Sequence, residues 1–394
     1  MNQFAFRRTK LACFSAYFTM SSVFSLPPLL FVTFHRLYGI SYTLLGTLVL
    51  TNFCTQLAID LVFTLFSKHF NVKKVIRVMP LITSLGLVTY ALVPYFLPQF
   101  AYGGLLLGTV IFSVSAGLSE VLLSPVIAAI PSDDPQREMS KLHSLYAFGV
   151  VTVVVISTLY LRLFGGENWM WLTLFWAAAP VIASVLFSLS PMPDMAPGAG
   201  KGQKSRKGLL MGLFVACIFF GSCAENAMGN WISTFAQEAL GIHKTLGDIL
   251  GVAMFAVLLG MTRLAYAKFG KRIWRTLMLG MAGAALCYLA AGLFAGRVVP
   301  FVACALAGAC VAMLWPGALI IMEEHLPHVG VGAYALMAAG GDLGASLAPQ
   351  MLGMVVDSAP TEQLGLRWGM LVSALFPLLG VAVLLLIRKA TKKR

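Results

Sequence analysis

Apolar stretches of about 20 residues or more recur along this chain, separated by short breaks rich in Gly, Pro or basic residues. A helix of about 20 apolar residues matches a hydrocarbon core about 30 Å thick, so each stretch is read as one membrane crossing. They fall at about 11–34, 42–66, 75–97, 101–130, 142–164 and 169–189, and then at 209–235, 246–267, 273–295, 298–322, 333–356 and 368–387. Twelve crossings leave only short loops in a chain of 394 residues. Composition excludes a soluble fold: 59% of residues are hydrophobic and 11% charged, against about 25% charged in soluble domains. The expected fold class is all-α and integral to the membrane, with twelve transmembrane helices arranged as two six-helix bundles.

The basic residues orient these crossings. Of the 28 Lys and Arg, 23 fall at the two termini or in alternate breaks, while the other breaks hold only Arg36, Arg162, Lys244, Arg297 and Arg367. By the positive-inside rule both termini are cytoplasmic, in a plasma membrane or, for a bacterial chain, the inner membrane. The net charge of +13 then needs no nucleic acid partner. The expected partners are the lipid bilayer and a small-molecule substrate, and the chain is expected to be a monomer. Arg7, Arg8 and Lys10 precede the first stretch, but no small-residue cleavage site follows, so it is expected to remain as a helix. All seven cysteines lie in apolar segments without C-x-x-C spacing and read as packing residues.

Residues 190–208 (SPMPDMAPGAGKGQKSRKG) lack apolar periodicity and read as a linker between an N-terminal half, 1–189, and a C-terminal half, 209–394. Gln203 stands where a phosphate loop needs its second glycine, so the linker is not expected to bind a nucleotide. Across it the sequence repeats: Gly117 to Pro125 (GLSEVLLSP) and Gly308 to Pro316 (GACVAMLWP) share Gly and Pro at the same interval. The breaks after the second and eighth stretches, beginning at Phe70 and Phe269, are also alike.

Ionisable groups in hydrocarbon are costly and mark candidate sites. Four carboxylates qualify: Asp60, Glu120, Glu225 and Asp342. No Lys or Arg is placed comparably deep, since Arg263 falls near one end of the eighth stretch, and this argues against anionic cargo. Ser113, Glu120 and Ser124 share a helical face, giving a polar stripe with one titratable group that can carry a proton where no cation pins it. Ser222, Asn226 and Asn230 repeat every fourth residue, with Glu225 beside them and Trp231 at the outer end. Such a ladder of donors and acceptors under an aromatic face suits a hydroxylated ligand, or else joins helices through its amides.

Asn52, Gln56 and Asp60 run along one face of the second stretch, where Asn52 and Gln56 are further candidate substrate contacts and Asp60 reads as an ion pair or cap. Asp342, Ser346 and Gln350 share a face of the eleventh, so Asp342 is a third candidate proton carrier beside Glu120 and Glu225. His143, Tyr146 and Trp315 complete the candidate substrate contacts. Glu323, Glu324, His325 and His328 lack a further ligand pair and are not expected to hold a metal. Thr245 to Asp248 has the pattern of a capping box for the eighth helix.

The six-plus-six arrangement resembles the major facilitator superfamily over the whole chain. Leu142 to Gly149 (LHSLYAFG), the fourth-stretch glutamate segment, Glu225 to Trp231 and Trp315-Pro316-Gly317 resemble its fucose-permease-like branch. That resemblance implies proton-coupled sugar uptake by alternating access, with Glu120 as the cavity glutamate, the proton as coupling ion and no other cofactor. Fucose permeases also use a first-span aspartate, whereas 11–34 contains no carboxylate, which leaves Glu225 or Asp342 for that role. The alternative is efflux of lipophilic or cationic compounds by proton antiport, although 150–164 lacks the Gly-Pro motif usual in such antiporters. Catalysis is not expected, because H-E-x-x-H and G-x-S-x-G are both missing.

Overall fold

The structure, a computed structural model, describes residues 6–66, 70–131, 135–193, 208–270, 272–326 and 331–392. Within these it describes every side chain except those of residues 63–65, 128, 135–140, 143, 144, 147, 267, 331, 332, 334, 335 and 392. Most of the expected linker lies outside the described residues.

Every apolar stretch is helical. Among the described residues nine helices are long and apolar enough to cross a membrane, or ten when Arg7–Leu29 and Phe31–Tyr38 count as one span bent by 49°. Two further stretches lie in the long helices Pro135–Phe164 and Val331–Ser358. The bend in the first span follows Pro27 and Pro28, which cannot donate to the carbonyls one turn earlier.

The chain forms two compact units: Met1–Ile40 with Thr51–Pro197, and Ser41–Leu50 with Gly198–Arg394. In unit 1 the core is aromatic. Phe34 meets Trp169 edge-on at 4.9 Å and Tyr90 at 5.8 Å, and Tyr90 stands 5.8 Å from Phe112. These buried rings join the first, third, fourth and sixth spans, each pair adding about 0.5–1.5 kcal/mol beyond its area. The Trp176 indole is satisfied by donating to Ser157 Oγ at 2.9 Å.

In unit 2 the seventh span, Gly208–Thr234, runs on through a π-helical turn at Phe235–Ala239, and a second π segment, Gly247–Ala253, opens the eighth. The expected capping box is not how that helix starts. His243 is its cap, accepting from the Thr245 amide at 3.3 Å. Asp248 is fully buried, so its carboxylate instead takes Lys244 at 3.2 Å and the Ser233 hydroxyl. Asp357, near the end of Val331–Ser358, accepts from the backbone amides of Tyr42 at 3.0 Å and Thr43 at 2.6 Å, serving as cap for Tyr42–Phe66.

The repeated glycines do equivalent work in the two units. A Cβ on Gly117 would lie 3.1 Å from the Gln56 carbonyl oxygen of the second span, and one on Gly308 would overlap the Phe255 carbonyl of the eighth. Each glycine thus lets the fourth helix of its half approach the second backbone to backbone.

Candidate functional site

Each unit carries its own polar cluster. In unit 1, Glu120 is exposed and lies near Asp60 and Tyr17. Asp60 rests against Gly117, one turn before Glu120, and its Oδ1 is buried without a hydrogen-bond partner among the described residues. Among those residues neither carboxylate is paired with Lys or Arg, so the ion pair expected of Asp60 is not formed there.

Tyr146 is half-buried beside this pair, 6.5 Å from the Tyr17 ring and 5.8 Å from Phe24, which in turn meets Phe53 at 5.6 Å. Nothing in the sequence marks Tyr17, Phe24 and Phe53, because an aromatic residue in an apolar span carries no signal of its neighbours. Asn52 and Gln56 are buried and turned toward the fourth span. Asn52 Oδ1 accepts from Gln56 Nε2 at 2.8 Å and from Ser113 Oγ at 2.7 Å, so these side chains join helices. The His143 side chain lies outside the described residues.

In unit 2, Arg263 Nη2 lies 3.4 Å from both Glu225 oxygens, and both side chains remain partly exposed, at 39% and 23%. The expectation that no cation shares the interior with the carboxylates therefore fails. Position along its own helix places Arg263 near one end, but its long side chain reaches the seventh and tenth spans. Arg263 Nε donates to the Ala312 carbonyl at 2.8 Å. That carbonyl is available because Pro316, four residues later, has no N–H, and the tenth span accordingly breaks between Val298–Val311 and Leu314–His325.

Beside the pair, Asn226 Nδ2 donates to the Ser222 carbonyl at 3.1 Å and Asn230 Nδ2 to the Asn226 carbonyl at 2.8 Å. Both asparagines are half-exposed, while Ser222 is buried. Trp315 is half-buried, its ring lying on Gly341, next to the buried Asp342. Trp231 is fully buried; its Nε1 donates to the Pro349 carbonyl at 3.1 Å and its ring stands 5.8 Å from Tyr42. Its place is thus within the packing of unit 2.

The structure therefore assembles Glu225, Asn226, Asn230 and Arg263 in unit 2, and Glu120, Asp60 and Tyr146 in unit 1, each set within its own unit. The unit 2 set offers a guanidinium donor, carboxylate acceptors and amide oxygens, a mixture that can hold a hydroxylated solute. The unit 1 set offers two carboxyl groups with no Lys or Arg partner among the described residues, which can hold a proton or a positive charge.

The family model of the Major Facilitator Superfamily matches residues 11–349. Solved structures are similar at low identity. The nucleoside transporter NupG is 14% identical with a TM-score of 0.77, over 96% of this chain and 98% of that one. A D-xylose-proton symporter is 14% identical with a TM-score of 0.78, over 97% of both chains. The E. coli fucose:proton symporter FucP is 15% identical with a TM-score of 0.63, over 97% of this chain and 99% of that one. No curated protein matches the sequence.

Proposed function

As the chain belongs to the Major Facilitator Superfamily and is a multi-pass membrane transporter, we propose that it takes up a small neutral polar solute, a sugar or polyol, together with a proton. The observation that carries this reading is the partly exposed Glu225–Arg263 pair beside Asn226 and Asn230. The pair has no net charge, so a charged cargo gains little from it. A hydroxyl, by contrast, can donate to Glu225 and accept from Arg263 at once. The similar structures support the choice of cargo, since they are a nucleoside transporter, a D-xylose-proton symporter and a fucose:proton symporter.

The proton is assigned to Glu120. With Arg263 occupied by Glu225, the carboxyl group that is exposed and has no cationic partner among the described residues is the better carrier. Proton and solute act together by biasing the alternating-access equilibrium, and each can shift it only through its differential affinity for the two states. Both termini face the cytoplasm in this reading, and the protein works as a monomer. A second reading draws on the unit 1 set: two carboxylates near Tyr17, Phe24 and Tyr146 also suit a lipophilic cation leaving in exchange for protons.

The test is reconstitution into unenergised liposomes, with external pH recorded as neutral sugars, polyols and lipophilic cations are added in turn. Alkalinisation with a neutral solute supports symport, and acidification with a cation supports exchange. Glu120→Gln is expected to abolish accumulation driven by a proton gradient while leaving solute counterflow. Full accumulation by that variant would move the proton elsewhere.

A further inference from the structure

A groove lies at the end of unit 2 that carries the basic loop, away from the Glu225–Arg263 pair of that unit. Its volume is about 910 Å³, and it is lined by Arg272, Trp274, Arg275, Glu324, His325 and Arg388. The residues come from three helices. Arg272 is the cap of Ile273–Leu293 and Arg275 lies in its first turn, Glu324 and His325 end Leu314–His325, and Arg388 is near the end of Leu375–Lys392. The first turn of Ile273–Leu293 contains no acidic residue.

All three arginines are exposed, and among the described residues none is within ion-pair distance of a carboxylate. Glu324 is the acidic residue of the groove, so three guanidiniums against one carboxylate leave an excess of positive charge. The floor is held in place: the Trp274 ring meets His325 edge-on at 5.5 Å, and His325 Nδ1 bonds the Ile321 carbonyl at 2.9 Å. Below the arginines the wall turns apolar, with Leu279 73% and Leu385 50% exposed.

We propose that this groove binds an anionic phospholipid, the headgroup phosphate held by Arg272, Arg275 and Arg388 and an acyl chain lying along Leu279 and Leu385. Guanidinium forks match phosphate oxygens in pairs, and an indole in the first turn of a span, as Trp274 is, suits the headgroup region. A free phosphate would use the arginines but leave the leucine wall bare, and that wall is what selects a lipid. Basic pockets between spans bind anionic headgroups for this reason, each Lys or Arg contributing about 1 kcal/mol.

The test uses the full-length protein in detergent micelles, with native mass spectrometry counting retained lipids at equal concentrations of phosphatidylglycerol and phosphatidylcholine. Phosphatidylglycerol is expected to be retained at least tenfold better, and Arg272→Gln/Arg275→Gln/Arg388→Gln to reduce it to the phosphatidylcholine level. If the triple variant does not fold, Arg388→Gln alone should lower retention about fivefold. Phosphatidylglycerol with brominated chains should quench fluorescence that Trp274→Phe removes. Equal retention of the two lipids, or retention unchanged in the variants, would overturn the proposal. So would displacement of the lipid by millimolar inorganic phosphate, which would make this a phosphate site.

Discussion

Arg263 donates through Nε to the carbonyl of Ala312 at 2.8 Å, filling the place in the tenth helix that Pro316 leaves without a donor. Its terminal nitrogen meanwhile faces Glu225 at 3.4 Å. Arg263→Lys keeps the charge but loses the planar fork, so the carbonyl should be left unmatched at a cost of about 1–2 kcal/mol. Pro316→Ala restores the missing N–H. Thermal unfolding of the two single variants and the double should therefore show coupling of at least about 0.5 kcal/mol. Additive losses would mean that the arginine and the proline act separately.

Asn226, Asn230 and Trp231 are neighbours in sequence and should behave oppositely. Asn226→Ala and Asn230→Ala, at half-exposed positions, are expected to weaken solute binding about tenfold with little change in unfolding temperature. Trp231→Phe removes a buried donor to the Pro349 carbonyl and should cost about 1–3 kcal/mol of stability while leaving solute affinity unchanged. Binding measured by calorimetry alongside thermal unfolding separates the two behaviours.

Gly308→Ala and Gly117→Ala test the repeat. The first places a methyl group against the Phe255 backbone, which has no flexible end to swing away, and about 1–3 kcal/mol is expected. The second meets atoms at 3.1 Å or more and should cost less. Unfolding temperatures in that order are the expected result; the reverse order would mean that the fourth span is the tighter of the two.

Asp357→Ala removes the acceptor for the Tyr42 and Thr43 amides, at 3.0 and 2.6 Å. Losing a helix cap costs about 1 kcal/mol. Hydrogen exchange should accelerate at the start of Tyr42–Phe66 and not at its far end.

The spans were legible because the bilayer imposes one length and one composition on every crossing, which makes the signal local. Pro316 marks the end of the repeat in the sequence, whereas the carbonyl it leaves free and the arginine that takes it emerge only from the structure. Arg263 is less legible for a related reason: the sequence gives its depth along its own helix, whereas its contacts depend on how neighbouring helices are offset. Asn52 and Asn226 look equivalent in sequence, each heading an i, i+4 amide pair. Only packing shows that Asn52 is turned into a helix contact with Ser113 while Asn226 remains half-exposed. Trp231 could not be told from a membrane-interface residue without the Pro349 carbonyl that receives its indole.

The π turns at Phe235–Ala239 and Gly247–Ala253 bear on how such a chain can change in length. A π turn holds one residue more than the α turn it interrupts, in effect an insertion absorbed without breaking the helix. Relatives lacking that residue would close the turn to an ordinary α-helix, rotating whatever lies beyond it by about 100°. These two segments are therefore where a single-residue gap in an alignment should be placed, and where numbering by simple counting from a neighbouring span would assign residues to the wrong face.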